Sequence, residues 1–460
     1  MPTDGVTGPG LPEGDPGSVV PFDVGLMNPV AVGRDDAVSD AAYLRALVEA
    51  EVALVKAYAA VGAAPAEAGE QAEALFDVPI GIATLAASAV GGGNPVIPLV
   101  AALRAGAPDA VRPWVHKGAT SQDIVDTAIM LLARDACVEI HGSLIRVSLA
   151  LQAFAREHRG LVAAGRTLTQ HAVPTTIGLR AATWERGIAR AADRVRSASA
   201  TVFAQLGGAA GTMAAAVEAI GAERAMALRA AFAEQLQLGD LDIPWHTERW
   251  PITELGDAVA QAIAALGRFA TDVATGSRTE IAELSEPSGG GSSAMPQKQN
   301  PARSVLIRSA ALRAPQLSAT LQLAAGLFAD ERADGAWHAE WPALRELLRL
   351  GLGAASHAAD LAEGLRVDAD AVARNLGATG GLIVSERLSA VLGKDVAAGI
   401  VAAVADGGDL RALVAEAGGD PDDLLDPARY TGLAAAFVES LPPPPVSVRT
   451  IRFHDAADSD

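Results

Sequence analysis

The sequence predicts an all-α fold built around a long central helical bundle. Three observations carry that prediction. Apolar residues recur at helical spacing through Ala/Leu/Arg runs over 121–158, 175–205, 222–237, 251–275 and 301–329. Glycine and proline, 46 and 26 in number, sit mainly between those runs. No alternating run of β-branched and aromatic residues marks a strand, and aromatics are only 4% of a chain that is 50% hydrophobic.

Residues 1 to about 35 are rich in Gly and Pro and read as an arm with a lead-in segment. A helix starts at Ser39 or Asp40, where a short polar side chain can cap it. Tyr43, Leu44, Leu47, Val48 and Val52 continue its apolar face. Helices of ordinary length follow to about residue 110, interrupted at Gly91–Pro95. The long runs begin at Ser121, and helices of roughly 25–35 residues suit an elongated bundle rather than a compact domain. One chain cannot cover the apolar faces of such helices, so association is expected. Shorter helices resume near residue 365, include the Gly377–Gly381 segment and reach about Ser440. The run Pro442–Pro445 ends helix formation. At roughly 150 residues per domain, 460 residues suggest three domains. The pattern divides them as 1–115 (helical), 116–364 (long bundle) and 365–460 (helical, with a tail).

Charge and composition exclude several functions. The formal charge of -19 opposes a protein that works by neutralising nucleic-acid phosphate. Cys137 is the only cysteine, which excludes an internal disulfide and a cysteine-based metal site. The histidines show no metal-ligand spacing, and no cofactor is expected. The N-terminus lacks a basic start and an apolar run, and no stretch has the length and apolarity of a membrane span. A cytoplasmic, reduced location is the expectation.

The segment richest in chemistry is Ser288–Pro301, between two long helical runs. Its glycines allow mobility, Ser292 and Ser293 are adjacent hydroxyls, and Lys298 is one of only four lysines. Asn300 adds an amide that hydrogen-bonds in both directions, and Pro301 fits a first helical turn. A loop of this kind can close over an anionic ligand, exclude water and place a proton-transfer group. Composition alone is equally compatible with a flexible interhelical linker.

The order of residues in Gly291–Pro301 resembles the serine-loop fingerprint of the fumarase/aspartase superfamily. Thr120–Thr127 is similar to that family's first motif region. Gly165–Gln170, with Ala172, Pro174, Thr175 and Gly178, is similar to its second. The resemblance spans roughly residues 20–450. It implies a three-domain all-α enzyme whose long helices join in a homotetramer, each active site drawing its motifs from three chains. It implies a reaction that makes or breaks a bond β to a carboxylate through an enolate-like intermediate. Ser292 would be the proton-transfer residue, with Ser293 as the alternative, and Lys298 would stabilise the developing charge. His116, Thr120, Ser121, Thr167, Gln170, Arg249, Ser293, Met295 and Asn300 would contact the substrate, an anionic tricarboxylate.

One departure from the family pattern points to a branch. Lyases that expel an amine or hydroxyl carry a histidine at or near the position of Leu168. Leucine can neither donate nor accept a proton. An intramolecular reaction with a carboxylate nucleophile needs no such group. Trp114–Asp123 and Pro244–Arg249 also resemble the muconate cycloisomerase branch. The expected reaction is therefore lactonisation of 3-carboxy-cis,cis-muconate, a step of protocatechuate breakdown in the β-ketoadipate pathway. Adenylosuccinate lyase or a related C–N lyase is the alternative enzyme, and a non-catalytic structural tetramer is the alternative to an enzyme. Gln299 stands where related loops commonly carry Arg or Lys. His171 is expected to face away from the chemistry, His246 to be a possible carboxylate ligand, and His338 to line a pocket rim. Arg303 is expected to support the serine loop.

Overall fold

The computed structural model describes residues 23–442 apart from 289, 292–294, 296 and 333. The arm before residue 23 and the tail after Pro442 therefore lie outside the described residues.

Helix α1 is Asp40–Ala60, and the Ser39 side chain accepts from the Ala42 N–H at its start. Shorter helices follow, among them Ile82–Ala89 and Val96–Gly106. Five long helices then form the body: α2 (Ser121–Glu157), α3 (Ile177–Ala200), α5 (Trp250–Gly276), α6 (Ala302–Ala325) and α7 (Gly335–Glu363). Between them α4 (Ala222–Leu236) packs on α1 rather than among the long helices. After α7 come α8 (Ala369–Leu376) and a cluster of short helices between residues 385 and 439. The central core is contributed mainly by alanine, leucine, valine and isoleucine, as the low aromatic content requires. Small residues let the helices approach closely. A Cβ on Gly267 of α5 would lie 2.4 Å from the Ala311 Cβ of α6.

The lead-in segment is packed rather than loose. Asp35 accepts from Arg349 Nε of α7 at 2.5 Å, and Asp23 pairs with the same guanidinium. Val30 is buried, and a Cβ on Gly353 would lie 2.1 Å from its carbonyl oxygen.

The structure corrects the expectation of no strands. Val162–Thr167 (β1) and Gln170–Thr176 (β2) form an antiparallel hairpin, and β3 (Leu284–Ser285) pairs with β4 (Arg366–Val367). Leu168 and Thr169 make the hairpin turn with φ of 48° and 71°. Two left-handed residues are what a two-residue type I′ hairpin turn demands, but Asn and Gly normally supply them. The usual sequence signal is therefore absent here.

Candidate active site

The first motif region is built at the N-terminus of α2. Asp123, fully buried, accepts from the backbone N–H groups of Thr120, Gly207 and Gly208, each at 2.9 Å. It also meets His246 Nε2 at 2.8 Å, which makes that nitrogen the protonated one. His246 Nδ1 is buried without a hydrogen-bond partner among the described residues. His246 thus braces the wall from within through Asp123, with a side chain only 4% exposed. Thr120 is nearly buried, Ser121 half-buried. Orphan N–H groups at the start of α2 favour an anion.

His116 precedes this helix, with its backbone in the left-handed region at φ 55°. Glu51 of α1 holds it twice: Oε2 accepts the His116 N–H at 2.8 Å and Oε1 meets Nδ1 at 2.7 Å. Next to it, the Lys117 ammonium sits 4.4 Å from the Trp114 ring centroid.

Arg249 departs from its expected part as a substrate ligand. Its guanidinium is fully buried and engaged by Asp126 at 2.8 and 3.1 Å and by Glu340 at 2.7 Å. Burial alone would lower its pKa, but the two carboxylates outweigh this and hold it above the ordinary arginine value. Burial raises the Glu340 pKa, against the pull of Arg249. Trp337 Nε1 donates to Asp126 at 2.9 Å, and the Trp245 and Phe328 rings flank the guanidinium. A cation so enclosed has no face left for a substrate. It ties α5 to α2 and α7 instead.

The second and third regions lie at the other end of the bundle. The hairpin presents Thr167, Leu168 and Gln170 as exposed residues, with Leu168 96% exposed. Its base is anchored by Glu283, which accepts from Arg166 at 3.0 and 2.5 Å, Arg180 at 3.3 Å and Asn375 at 2.9 Å. Burial would raise the Glu283 pKa, but these hydrogen bonds and positive charges hold it below the usual glutamate value. A cleft of about 400 Å³ runs along Arg166, Thr167, Arg180 and Glu283. His171 pairs with Arg166 inside the hairpin.

The serine loop is closed at its neck. The backbones of Gly290 and Asn300 exchange hydrogen bonds at 2.8 and 3.1 Å. Glu286 accepts from the Arg303 and Ser304 N–H groups, capping α6, and Arg303 Nη1 donates to Ser288 Oγ at 2.8 Å. Met295 and Lys298 are exposed, and Asn300 is half-buried with Nδ2 3.4 Å from the Gly291 carbonyl. Ser292 and Ser293 lie outside the described residues.

These regions do not converge within one chain. Helix α2 has 37 residues and is therefore about 54 Å long. Thr120 and Ser121 stand before or at its first turn, while the hairpin follows its last. His338 lies with the first region, its ring nitrogens 3.0 and 2.9 Å from the Asp334 and Gly93 carbonyls. Sequence reasoning missed Glu51, the Glu283 anchor and the loop at Gly207–Gly208. Only the last left a signal, as the Gly-rich stretch Gly207–Thr212 between helices. Among the described residues no cluster of His, Cys, Asp or Glu could hold a metal ion, and no helix is long and apolar enough to cross a membrane.

Comparison with known proteins agrees with this architecture. A family model described as "Lyase" matches residues 31–315. The chain belongs to this lyase family, the fumarase/aspartase superfamily. It is 45% identical to a nitrosuccinate lyase of Streptomyces davaonensis over 446 residues, covering 91% of this chain and 94% of the relative. It is 40% identical to a 3-carboxy-cis,cis-muconate cycloisomerase of Pseudomonas aeruginosa over 431 residues, covering 87% and 92%. The crystal structure of the 3-carboxy-cis,cis-muconate lactonizing enzyme from Pseudomonas putida superposes with a TM-score of 0.80 at 36% identity, covering 87% of this chain and 94% of that one.

Proposed function

We propose that the chain is a homotetrameric lactonising enzyme acting on 3-carboxy-cis,cis-muconate. The observation that carries this reading is the likeness to the Pseudomonas putida lactonizing enzyme, at a TM-score of 0.80 and 36% identity; the apolar Leu168 at the hairpin tip agrees with it, since no acid stands there to protonate an amine leaving group. In lactonisation a substrate carboxylate oxygen bonds to the alkene carbon, and the π electrons move to the neighbouring carbon. Ser292 delivers a proton there. In reverse, its alkoxide removes that proton and the C–O bond breaks. Lys298 and Asn300 steady the developing charge. Thr120, Ser121, Thr167, Gln170, Ser293 and Met295 hold the remaining carboxylates and the carbon frame. Arg249 has no part in this set.

The length of α2 supports shared sites, because residues at opposite ends of one helix would need other copies to meet. The exposed Leu312 and Leu323 of α6, with Leu327 just beyond it, support such association. The test is loss of diene absorbance when pure protein meets 3-carboxymuconate. A rate equal to the uncatalysed one refutes the reading.

A second reading is elimination of nitrite from nitrosuccinate, favoured by the 45% identity over 446 residues. Here the base removes the proton β to the nitro group, a C=C bond forms and nitrite departs with the C–N electron pair. Nitrite is a stable anion and needs no acid, so Leu168 suits this reaction as well. Colorimetric nitrite release and the fumarate absorbance would identify it. Adenylosuccinate cleavage is disfavoured, since its amine product must be protonated as it leaves. Activity on either substrate that Ser292→Ala abolishes would also dismiss the non-catalytic scaffold.

A further inference from the structure

Glu51 lies in the middle of α1, outside every motif segment, and is fully buried. Among the described residues its hydrogen-bond partners are two groups of one residue, the His116 backbone N–H and ring Nδ1. A buried carboxylate is costly unless its lone pairs are satisfied by donors. Both His116 groups must therefore act as donors, which places a proton on Nδ1 and leaves Nε2 on the opposite ring edge. The His116 side chain is 17% accessible, and Nε2 makes no hydrogen bond among the described residues.

The backbone carries a second mark of purpose. His116 adopts φ 55°, a conformation unfavourable for a non-glycine residue that persists only where neighbours enforce it. Helix α1 enforces it here. Glu51 takes the His116 N–H, and the Tyr58 hydroxyl donates to the next carbonyl, that of Lys117, at 2.9 Å. The segment is pinned at consecutive residues, four positions before the cap of α2.

We propose that Glu51 is a positioning residue for the reaction. It fixes the His116 imidazole with Nδ1–H turned inward, so that Nε2 faces the site and meets a substrate carboxylate. This rests on the functional reading above in taking the ligand to be a polycarboxylate. A carboxylate on Nε2 requires a second ring proton, taken from solvent, and the Glu51 charge then stabilises the cation between two anions. The first motif region thereby gains a cation to replace the one that Arg249 does not supply.

Glu51→Gln is isosteric and tests the idea, because a glutamine has one acceptor for two donors. Two measurements separate positioning from general support, and neither uses turnover. The first is solid-state 15N NMR of histidine-labelled protein, with the His116 signals assigned by their loss in His116→Asn. Protonated Nδ1 is expected in the wild type and a changed protonation pattern in Glu51→Gln. Identical His116 signals overturn the proposal.

The second is calorimetric binding of tricarballylate, a non-reacting tricarboxylate. Glu51→Gln is expected to weaken it at least about tenfold, the size of one charge-assisted hydrogen bond. In the His116→Asn background the same change should weaken it no further, since Glu51 acts through the ring. Equal loss in both backgrounds, or no binding by the wild type, overturns the proposal. Should Glu51→Gln not assemble, Glu51→Asp withdraws the carboxylate by one methylene and must show the same dependence on His116. A failed lactonisation assay with intact tricarballylate binding would condemn the functional reading and leave this one standing.

Discussion

At the scale of single residues, burial separates support from chemistry. Arg249 and His246 have side chains suited to carboxylate recognition, yet both are consumed by internal carboxylates. Removing the cation should expose how much depends on it. Arg249→Ala leaves Asp126 and Glu340 facing each other in the interior and is expected to cost about 3–5 kcal/mol of stability, read from denaturant unfolding. Little change in the unfolding midpoint would contradict this account. Lys298 is the opposite case, exposed and in the loop that carries the hydroxyls. Lys298→Ala should leave the unfolding midpoint nearly unchanged while turnover falls by a factor of at least about a hundred, typical of losing a group that stabilises developing charge. Sequence alone could not tell these two cations apart, because motif membership carries no information about which side chains the fold turns inward.

At the scale of elements, the hairpin and its anchor behave as one unit. Thr169 holds φ 71°, so Thr169→Gly is expected to stabilise the chain by about 1 kcal/mol. Thermal unfolding checks it, and a lower melting point would argue that the threonine side chain earns its strain. Glu283 sets the acid limit of the same unit. Its folded-state pKa lies below the ordinary value of 4.5, so its stabilising contribution is complete above that pH. The contribution is lost as pH falls through the depressed folded value. Wild type should therefore lose stability more steeply than Glu283→Gln as pH falls below 4.5, measured by denaturant midpoints. Parallel pH curves would remove the carboxylate from that role.

The long helices were legible because a helical repeat sustained over 121–158 has few other readings. The hairpin was not, since its turn residues are Leu and Thr and its strands carry Ala, Gly and Pro. Three motif segments were legible as residue order. Their supports, Glu51 and Glu283, were not, because each lies far along the chain from its partner: Glu51 is 65 residues from His116 and Glu283 is 117 from Arg166.

At the scale of the whole molecule, separation of the motifs predicts complementation. A chain carrying His116→Ala and a chain carrying Lys298→Ala are each expected to be nearly inactive. Co-expressed or mixed after mild dissociation, they should recover activity, because some shared sites then draw both intact segments from different copies. Recovery no greater than the sum of the separate chains would mean that each copy works alone. Gly353 tests how the outer segment joins the bundle. Gly353→Ala drives a methyl into the Val30 carbonyl and should cost about 1–3 kcal/mol, with earlier proteolysis around residues 23–38.

The 37-residue span of α2 also acts as a gauge. In the symmetric assembly proposed above every copy would carry the same rod, so a change in its length would be applied to all the shared sites at once. Deleting one turn moves the hairpin about 5.4 Å toward the first motif region in every subunit, and no neighbour retains the original spacing to compensate. Point substitutions on the rod can be absorbed one contact at a time. Insertions and deletions cannot, which makes the length of this helix, more than the identity of most of its residues, the quantity that the proposed shared sites would hold fixed.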